Sequence, residues 1–307
     1  MSGKFIDCGA CRHALMPLSF IGRFAVPFFF VTAGYYLKLP KRGDSALILA
    51  YARRLLVPFL FWAMVYVLYD MATNPAFPFD ELRHVAYYRH VILYGGPGYH
   101  LWFLPSLFVC ILCVDVCACV MPRFYVATTG LVLFFVGLAL IPYAPLLLGN
   151  GFVFTHDTRN GPFFGMFFVA VGALFKNRLD GLSLGQGIAL FAGGIATQVC
   201  EALFLWRVYG QDMLTHDYLF GALPVGIGAF VIALKFPVSM QSRLLAKWGG
   251  VSLGLYLSHV LFLKICASSF DKTTAAGSVM IVACSLVSTL ALTLGLARWR
   301  MTRPLVA

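Results

Sequence analysis

The sequence predicts an all-α, polytopic helical membrane bundle, and three observations carry that expectation. First, 61% of the 307 residues are hydrophobic and only 11% are charged, against about 45–50% and about 25% in soluble domains. Second, apolar runs of spanning length recur along the whole chain. Third, no period-two strand pattern competes with them, and an open sheet cannot cross a bilayer because its edge groups would go unsatisfied. No linker is long or polar enough to divide the chain. The expectation is therefore one membrane domain over residues 1–307, with 1–22 as a non-spanning N-terminal segment.

The runs fall at 23–38, 54–71, 100–121, 125–148, 162–175, 186–206, 218–236, 250–267 and 277–297, which gives nine helices. The first starts with Arg23 at the lip of an apolar segment. Pro27 follows, in the first turn, where its missing N–H has no partner to lose. Phe28 to Phe30 come next, then Thr32-Ala33-Gly34, a small-residue patch that lets another helix approach closely. Lys38, Lys41 and Arg42 close the segment. The second helix opens on Tyr51-Ala-Arg-Arg-Leu-Leu-Val-Pro, with Arg53 and Arg54 at its entrance. The third opens on Gly98-Tyr-His-Leu-Trp-Phe. The fifth run is short. The sixth carries Glu201 one to two turns before Arg207, and the eighth reads Gly250-Val-Ser-Leu-Gly-Leu-Tyr-Leu-Ser-His259.

The formal charge of +11 does not imply a nucleic-acid partner, because the basic residues sit in short loops between apolar runs. Their distribution sets the orientation instead. Lys38, Lys41, Arg42, Arg53, Arg54, Arg123, Lys176, Arg178, Lys235, Arg243, Lys247, Arg298, Arg300 and Arg303 share one side. Arg83, Arg89, Arg159, Arg207, Lys264 and Lys272 fall on the other. The richer side is expected to face the cytoplasm, with the 72–99 loop outside. Nine helices then leave residues 1–22 outside; one more helix in front would return both ends to the cytoplasm. Nine cysteines give no disulfide framework. Cys110, Cys113, Cys117 and Cys119 lie along the third helix, where they read as small packing residues rather than a metal site. No metal is expected.

Several side chains stand out for chemistry. Arg23 reads either as an anchor that snorkels to the headgroups or as a substrate-facing cation. Arg53 and Arg54 read as positive-inside anchors or as forks for the phosphates of an anionic donor. His100 can exchange a proton near neutral pH. Trp102 belongs either to an aromatic belt or to a substrate site. Glu201, an intramembrane carboxylate, is either functional or structurally paired. Ser252, Tyr256 and His259 fall near one helical face.

Three of these stretches resemble signatures of the integral-membrane acyltransferase-3 family. Arg23-x-x-Val-Pro-Phe-Phe-Phe-x-x-x-Gly-Tyr resembles its second helix, His100-x-Trp102-Phe a later one, and Ser252-x-Gly-x-Tyr256-x-x-His259 its penultimate helix. The matches run in order from residue 22 to residue 259. The resemblance implies an acyltransferase that moves an acetyl or other short acyl group from cytoplasmic acyl-CoA to a hydroxyl of a surface polysaccharide or its lipid-linked precursor. It implies a lipid bilayer, acetyl-CoA as donor substrate and a glycan acceptor, and a bacterial cytoplasmic membrane as the location. On this reading His259 and His100 are the candidate catalytic residues. Arg23, Trp102, Tyr256 and Glu201 would bind substrate, and Arg53 and Arg54 the donor, although the Arg-x-x-Arg spacing of some members is absent. The family's first helix carries an arginine and a histidine held to be catalytic. Here Arg12 and His13 are adjacent in a segment too polar to span, so the chain is expected to begin between the family's first and second helices. Two rivals stand beside the enzyme: a transporter or flippase using the same charges as a path, and a fragment that has lost catalysis with that first helix.

Overall fold

In the computed structural model, residues 20, 22–38, 45–149, 152, 154, 157–211, 213, 218–236 and 243–306 are described. Most of the 1–22 segment, with Arg12 and His13, lies outside these residues, as do Lys41, Arg42 and much of the 209–218 loop. The helices in order are α1 (Ala25–Tyr36), α2 (Ser45–Thr73), α3 (Val85–Tyr94), α4 (Phe103–Val120), α5 (Arg123–Leu140), α6 (Ala144–Leu147), α7 (Pro162–Leu174), α8 (Lys176–Gly181), α9 (Leu184–Tyr209), α10 (Ala222–Lys235), α11 (Arg243–Ser269) and α12 (Ala275–Arg298). No strand occurs among the described residues. Each of the nine expected apolar runs contains a helix. Among the described residues, six helical segments are long and apolar enough to cross a membrane, while α1, α7 and α10 are shorter apolar helices. The chain is an all-α integral membrane protein.

Three boundaries differ from the sequence expectation, each for a physical reason. The run at 125–148 stops as a helix at Leu140, and 141–143 turn before the short α6. Pro142 removes an amide and pushes Ile141 out of the helical region. α2 starts at Ser45, so Arg53 and Arg54 lie two turns inside a helix rather than at its opening. The first turns, Ser45 to Ala52, are mostly apolar, but Arg53 and Arg54 interrupt the run, so the sequence alone starts the apolar stretch only at 54. The 72–99 loop is not featureless either: it forms a 3-10 turn at Phe79–Arg83 and then α3.

The chain divides into two compact units. One comprises 16–49 and 106–237. Here α1 crosses α7 so closely that a Cβ on Gly34 would lie 2.3 Å from the Val169 carbonyl oxygen, and one on Gly172 2.2 Å from that of Val31. The small-residue patch on α1 does what its sequence promises. Phe30 is fully buried while Phe29 is exposed. Phe134, Phe164 and Tyr218 stack edge-on, and the Tyr218 hydroxyl reaches the Phe134 and Phe163 carbonyls at 2.7 and 3.0 Å.

The other unit comprises 1–15, 50–105 and 238–307. It holds α2 from Ala50 onward, α3, a 3-10 turn at Tyr99–Trp102, α11, α12 and a final 3-10 turn at Arg303–Leu305. Tyr66 and Trp62 of α2 and Leu257 of α11 are among its most buried side chains.

Candidate active site

Tyr66 sits in the middle of an apolar helix, and its hydroxyl must find a partner inside the protein. It finds one in the backbone of α11. The hydroxyl donates to the Leu257 carbonyl at 3.0 Å and accepts the Leu261 amide at 2.9 Å. A side chain has entered the Leu257–Leu261 rung of the helical ladder, a recognised way of distorting a helix locally. The residues between these two points include Ser258 and His259.

His100 occupies the 3-10 turn before α4 and is buried. Its Nε2 lies 3.3 Å from the same Leu257 carbonyl. A carbonyl only accepts, so Nε2 carries the proton and Nδ1 keeps its lone pair. That Nδ1 is buried with no hydrogen-bond partner among the described residues. His259 is the reverse case. Its Nδ1 lies 2.7 Å from the Tyr256 carbonyl, which puts the proton on Nδ1 and the lone pair on Nε2. The two imidazole centroids are 5.0 Å apart. Tyr256 completes the group: its ring stands 5.3 Å from that of His100, and its hydroxyl donates to the His100 carbonyl. Lys264, one to two turns beyond His259, donates to the Pro97 carbonyl at 2.8 Å and lies 5.8 Å from the Tyr66 ring. It is tied to the turn that delivers His100.

The structure therefore joins three sequence candidates, His100, His259 and Tyr256, in one cluster. It also changes their geography. In the sequence His100 lies at the opening of the third run and His259 in the middle of the eighth. His259 does lie at the centre of the apolar stretch Gly249–Ser269, and His100 near the start of the stretch Tyr99–Val120, yet their rings are neighbours. Trp102 is half-buried at the end of the same 3-10 turn. Ser252, expected on the face of Tyr256 and His259, is exposed and bonds to the Gly249 carbonyl. Arg53 and Arg54 lie exposed on α2, the helix that supplies Tyr66.

Arg23 and Glu201 belong to the other unit. Arg23 is buried, donates to the Met213 carbonyl at 3.0 Å and stacks 4.3 Å above the Phe20 ring. The Glu201 carboxylate accepts the Tyr143 hydroxyl at 2.7 Å and the Phe220 and Gly221 amides at 2.8 and 2.9 Å. It thereby caps the N-terminal end of α10, where orphan amides and the helix dipole favour an anion. Burial, followed by the hydrogen bond to Glu201, pushes the Tyr143 phenol above its usual range. Both charged residues border one small apolar cluster of Phe20, Ala202, Leu205 and Leu219, with Tyr143 and Met213 against it.

Sequence reasoning missed Tyr66, Trp62 and Lys264. The signal was present in the first two: a phenol and an indole inside an apolar helix each need a hydrogen-bond partner. What the sequence did not contain was the identity of each partner: for Tyr66 a backbone rung on a helix nearly two hundred residues away, for Trp62 the Leu305 carbonyl.

Residues 9–298 match the model of a family described as "Acyltransferase domain". A serine/alanine racemase of Enterococcus gallinarum is 27% identical over 264 residues, covering 78% of this chain and 35% of that protein. The chain thus spans little more than a third of the length of that curated relative. No solved structure matches the chain.

Proposed function

The chain belongs to this acyltransferase family, and from that premise we propose that it transfers an acetyl or other short acyl group from acyl-CoA to a hydroxyl of a surface polysaccharide or its lipid-linked precursor. One observation carries the reading: two neighbouring imidazoles are each anchored by one nitrogen to a backbone carbonyl, and the other nitrogen of His100 is buried with no hydrogen-bond partner among the described residues. A buried base with a free lone pair is what activation of a hydroxyl requires.

The reaction follows from that chemistry. An imidazole lone pair accepts the acceptor's hydroxyl proton as the oxygen attacks the thioester carbonyl. The tetrahedral oxyanion collapses, the C–S bond breaks and the coenzyme thiolate leaves with a proton. The products are an ester and a free thiol. Hydrogen-bond or cationic donors would stabilise the oxyanion, and the Lys264 ammonium is the cation of this cluster. Tyr256 and Trp102 would flank the acceptor. Arg53 and Arg54, exposed on α2, would take the donor's phosphates as guanidinium forks. Arg23 and Glu201 are engaged within their own unit, and Glu201 serves the fold through the cap it provides.

The test is transfer of labelled acetyl from acetyl-CoA to glycan acceptors in proteoliposomes. His100→Ala and His259→Ala should each lower turnover by about 10²–10⁴ with insertion unchanged. Arg53→Gln with Arg54→Gln should weaken donor binding about tenfold or more. Full turnover in both histidine variants would overturn the reading. Solute or glycan movement without acyl transfer would favour the transporter, and racemisation of serine or alanine would follow the named relative instead.

A further inference from the structure

α12 ends at Arg298, and residues 299–306 turn back onto the helices that build the histidine cluster. The turn is internally tied. The Thr302 hydroxyl donates to the Leu296 carbonyl at 2.6 Å, the Arg303 amide to Trp299 at 2.9 Å and the Val306 amide to Arg303 at 3.1 Å. It is then tied outward at two points. The Trp62 indole N–H of α2 donates to the Leu305 carbonyl at 3.1 Å. The Gly254 amide of α11 donates to the Val306 carbonyl at 3.0 Å.

The Val306 side chain is fully buried. The room for it exists because residue 254 has no side chain: a Cβ there would lie 2.6 Å from Val306 Cβ and 2.6 Å from Thr293 Cγ2. Thr293 is itself fully buried on α12. Three features therefore meet at one glycine: a backbone hydrogen bond, a complementary void and a buried side chain that fills it.

The placement gives the contact its meaning. Trp62 lies one turn before Tyr66 on α2. Gly254 lies about one turn before Leu257 on α11. The eight residues from Gly254 to Leu261 contain Tyr256, the Leu257 carbonyl and His259. An amide at each end of this stretch is given to an acceptor outside the helix, Val306 at one end and Tyr66 at the other. The same two helices are thus held together twice, once by the 299–306 turn and once by Tyr66. The turn lies just beyond residues 9–298, which match the family model.

We infer that the 299–306 turn is a strap that sets the position of the Gly254–Leu261 stretch against α2, and that Trp62 and Gly254 act through it as positioning residues for the two histidines. The inference rests on the histidine-pair reading for its functional consequence, though not for its structural one. Each imidazole's tautomer is fixed by a backbone carbonyl of this stretch, Leu257 for His100 and Tyr256 for His259. Moving the stretch relative to α2 carries the Leu257 carbonyl away from His100 Nε2 and releases that ring's tautomer, whereas His259 and the Tyr256 carbonyl move together; such a positional effect lowers turnover without touching substrate.

The experiment uses the full chain in nanodiscs with ¹⁵N-labelled histidine, its signals assigned through His100→Asn and His259→Asn. Trp62→Phe removes only the indole donor, and Gly254→Ala fills the void. In the wild type each histidine should show one protonated and one bare nitrogen, with opposite assignments. In both strap variants the His100 pattern should mix while that of His259 stays, and turnover should fall roughly tenfold to a hundredfold at unchanged donor KM. Unchanged His100 nitrogen signals overturn the inference, whether or not turnover falls, because the turn would then support only the fold. Shifted signals in a protein whose transfer survives His100→Ala and His259→Ala would sustain the strap and remove the catalytic reading.

Discussion

At the scale of single residues, Glu201 shows how an intramembrane charge can be fully engaged by the fold. Its three donors are the Tyr143 hydroxyl and two backbone amides at the start of α10. Glu201→Ala strands both amides in a buried site. Each such loss costs about 1–3 kcal/mol, so the variant should melt well below the wild type in detergent. Glu201→Gln keeps one oxygen acceptor and should lose roughly half as much. A Glu201→Ala protein that melts like the wild type would show that the cap adds nothing. His100 and His259 stand in contrast. Each uses one nitrogen to hold its place, and the second nitrogen of His100 is buried with no hydrogen-bond partner among the described residues.

At the scale of elements, helix contacts in the unit containing α9 and α10 are made by glycines at particular turns. Gly193 and Gly194 are adjacent on α9. A Cβ on Gly194 would lie 2.6 Å from Val225 Cγ2 and 2.7 Å from its backbone nitrogen, whereas one on Gly193 would meet nothing within 4 Å. Gly194→Ala must push α10 away, and such overpacking typically costs ~1–3 kcal/mol. Gly193→Ala should be neutral or stabilising by up to about 1 kcal/mol, through helix propensity alone. Thermal unfolding of the two variants side by side checks this, and equal melting points would mean that α9 and α10 are not in this close contact. The clash falls on backbone, which cannot rotate aside as a side-chain tip can.

At the scale of the whole molecule, loop charge leads to a topology. The Lys and Arg asymmetry predicts that the 72–99 loop lies outside the cell and residue 307 in the cytoplasm. A cysteine introduced at Asn74 should react with an impermeant maleimide added outside intact cells, and one at Ala307 only after lysis. Reaction of position 74 solely from the cytoplasmic side would overturn this orientation and, with it, the assignment of Arg53 and Arg54 to the donor side.

The sequence by itself determined the class of fold, because lipid admits few solutions. A chain this apolar must satisfy its backbone internally, and repeated apolar runs then mean helices. It also singled out His100, His259 and Glu201 as candidates, since a histidine or carboxylate in such a run stands out against its neighbours. It placed α1 against a close partner through Gly34, but not against α7 in particular. Only the tertiary structure decided which side chains meet. His100 and His259 are separated by more than 150 residues, and no local pattern encodes a ring contact at that separation. Only the tertiary structure showed that Tyr66 enters a rung of α11, or that Gly254 is empty so that Val306 can fill it. The physical reason is that helix formation is dictated by local composition and the surrounding lipid. The partner of a buried hydroxyl, by contrast, is whichever backbone group the folded bundle brings within 3 Å.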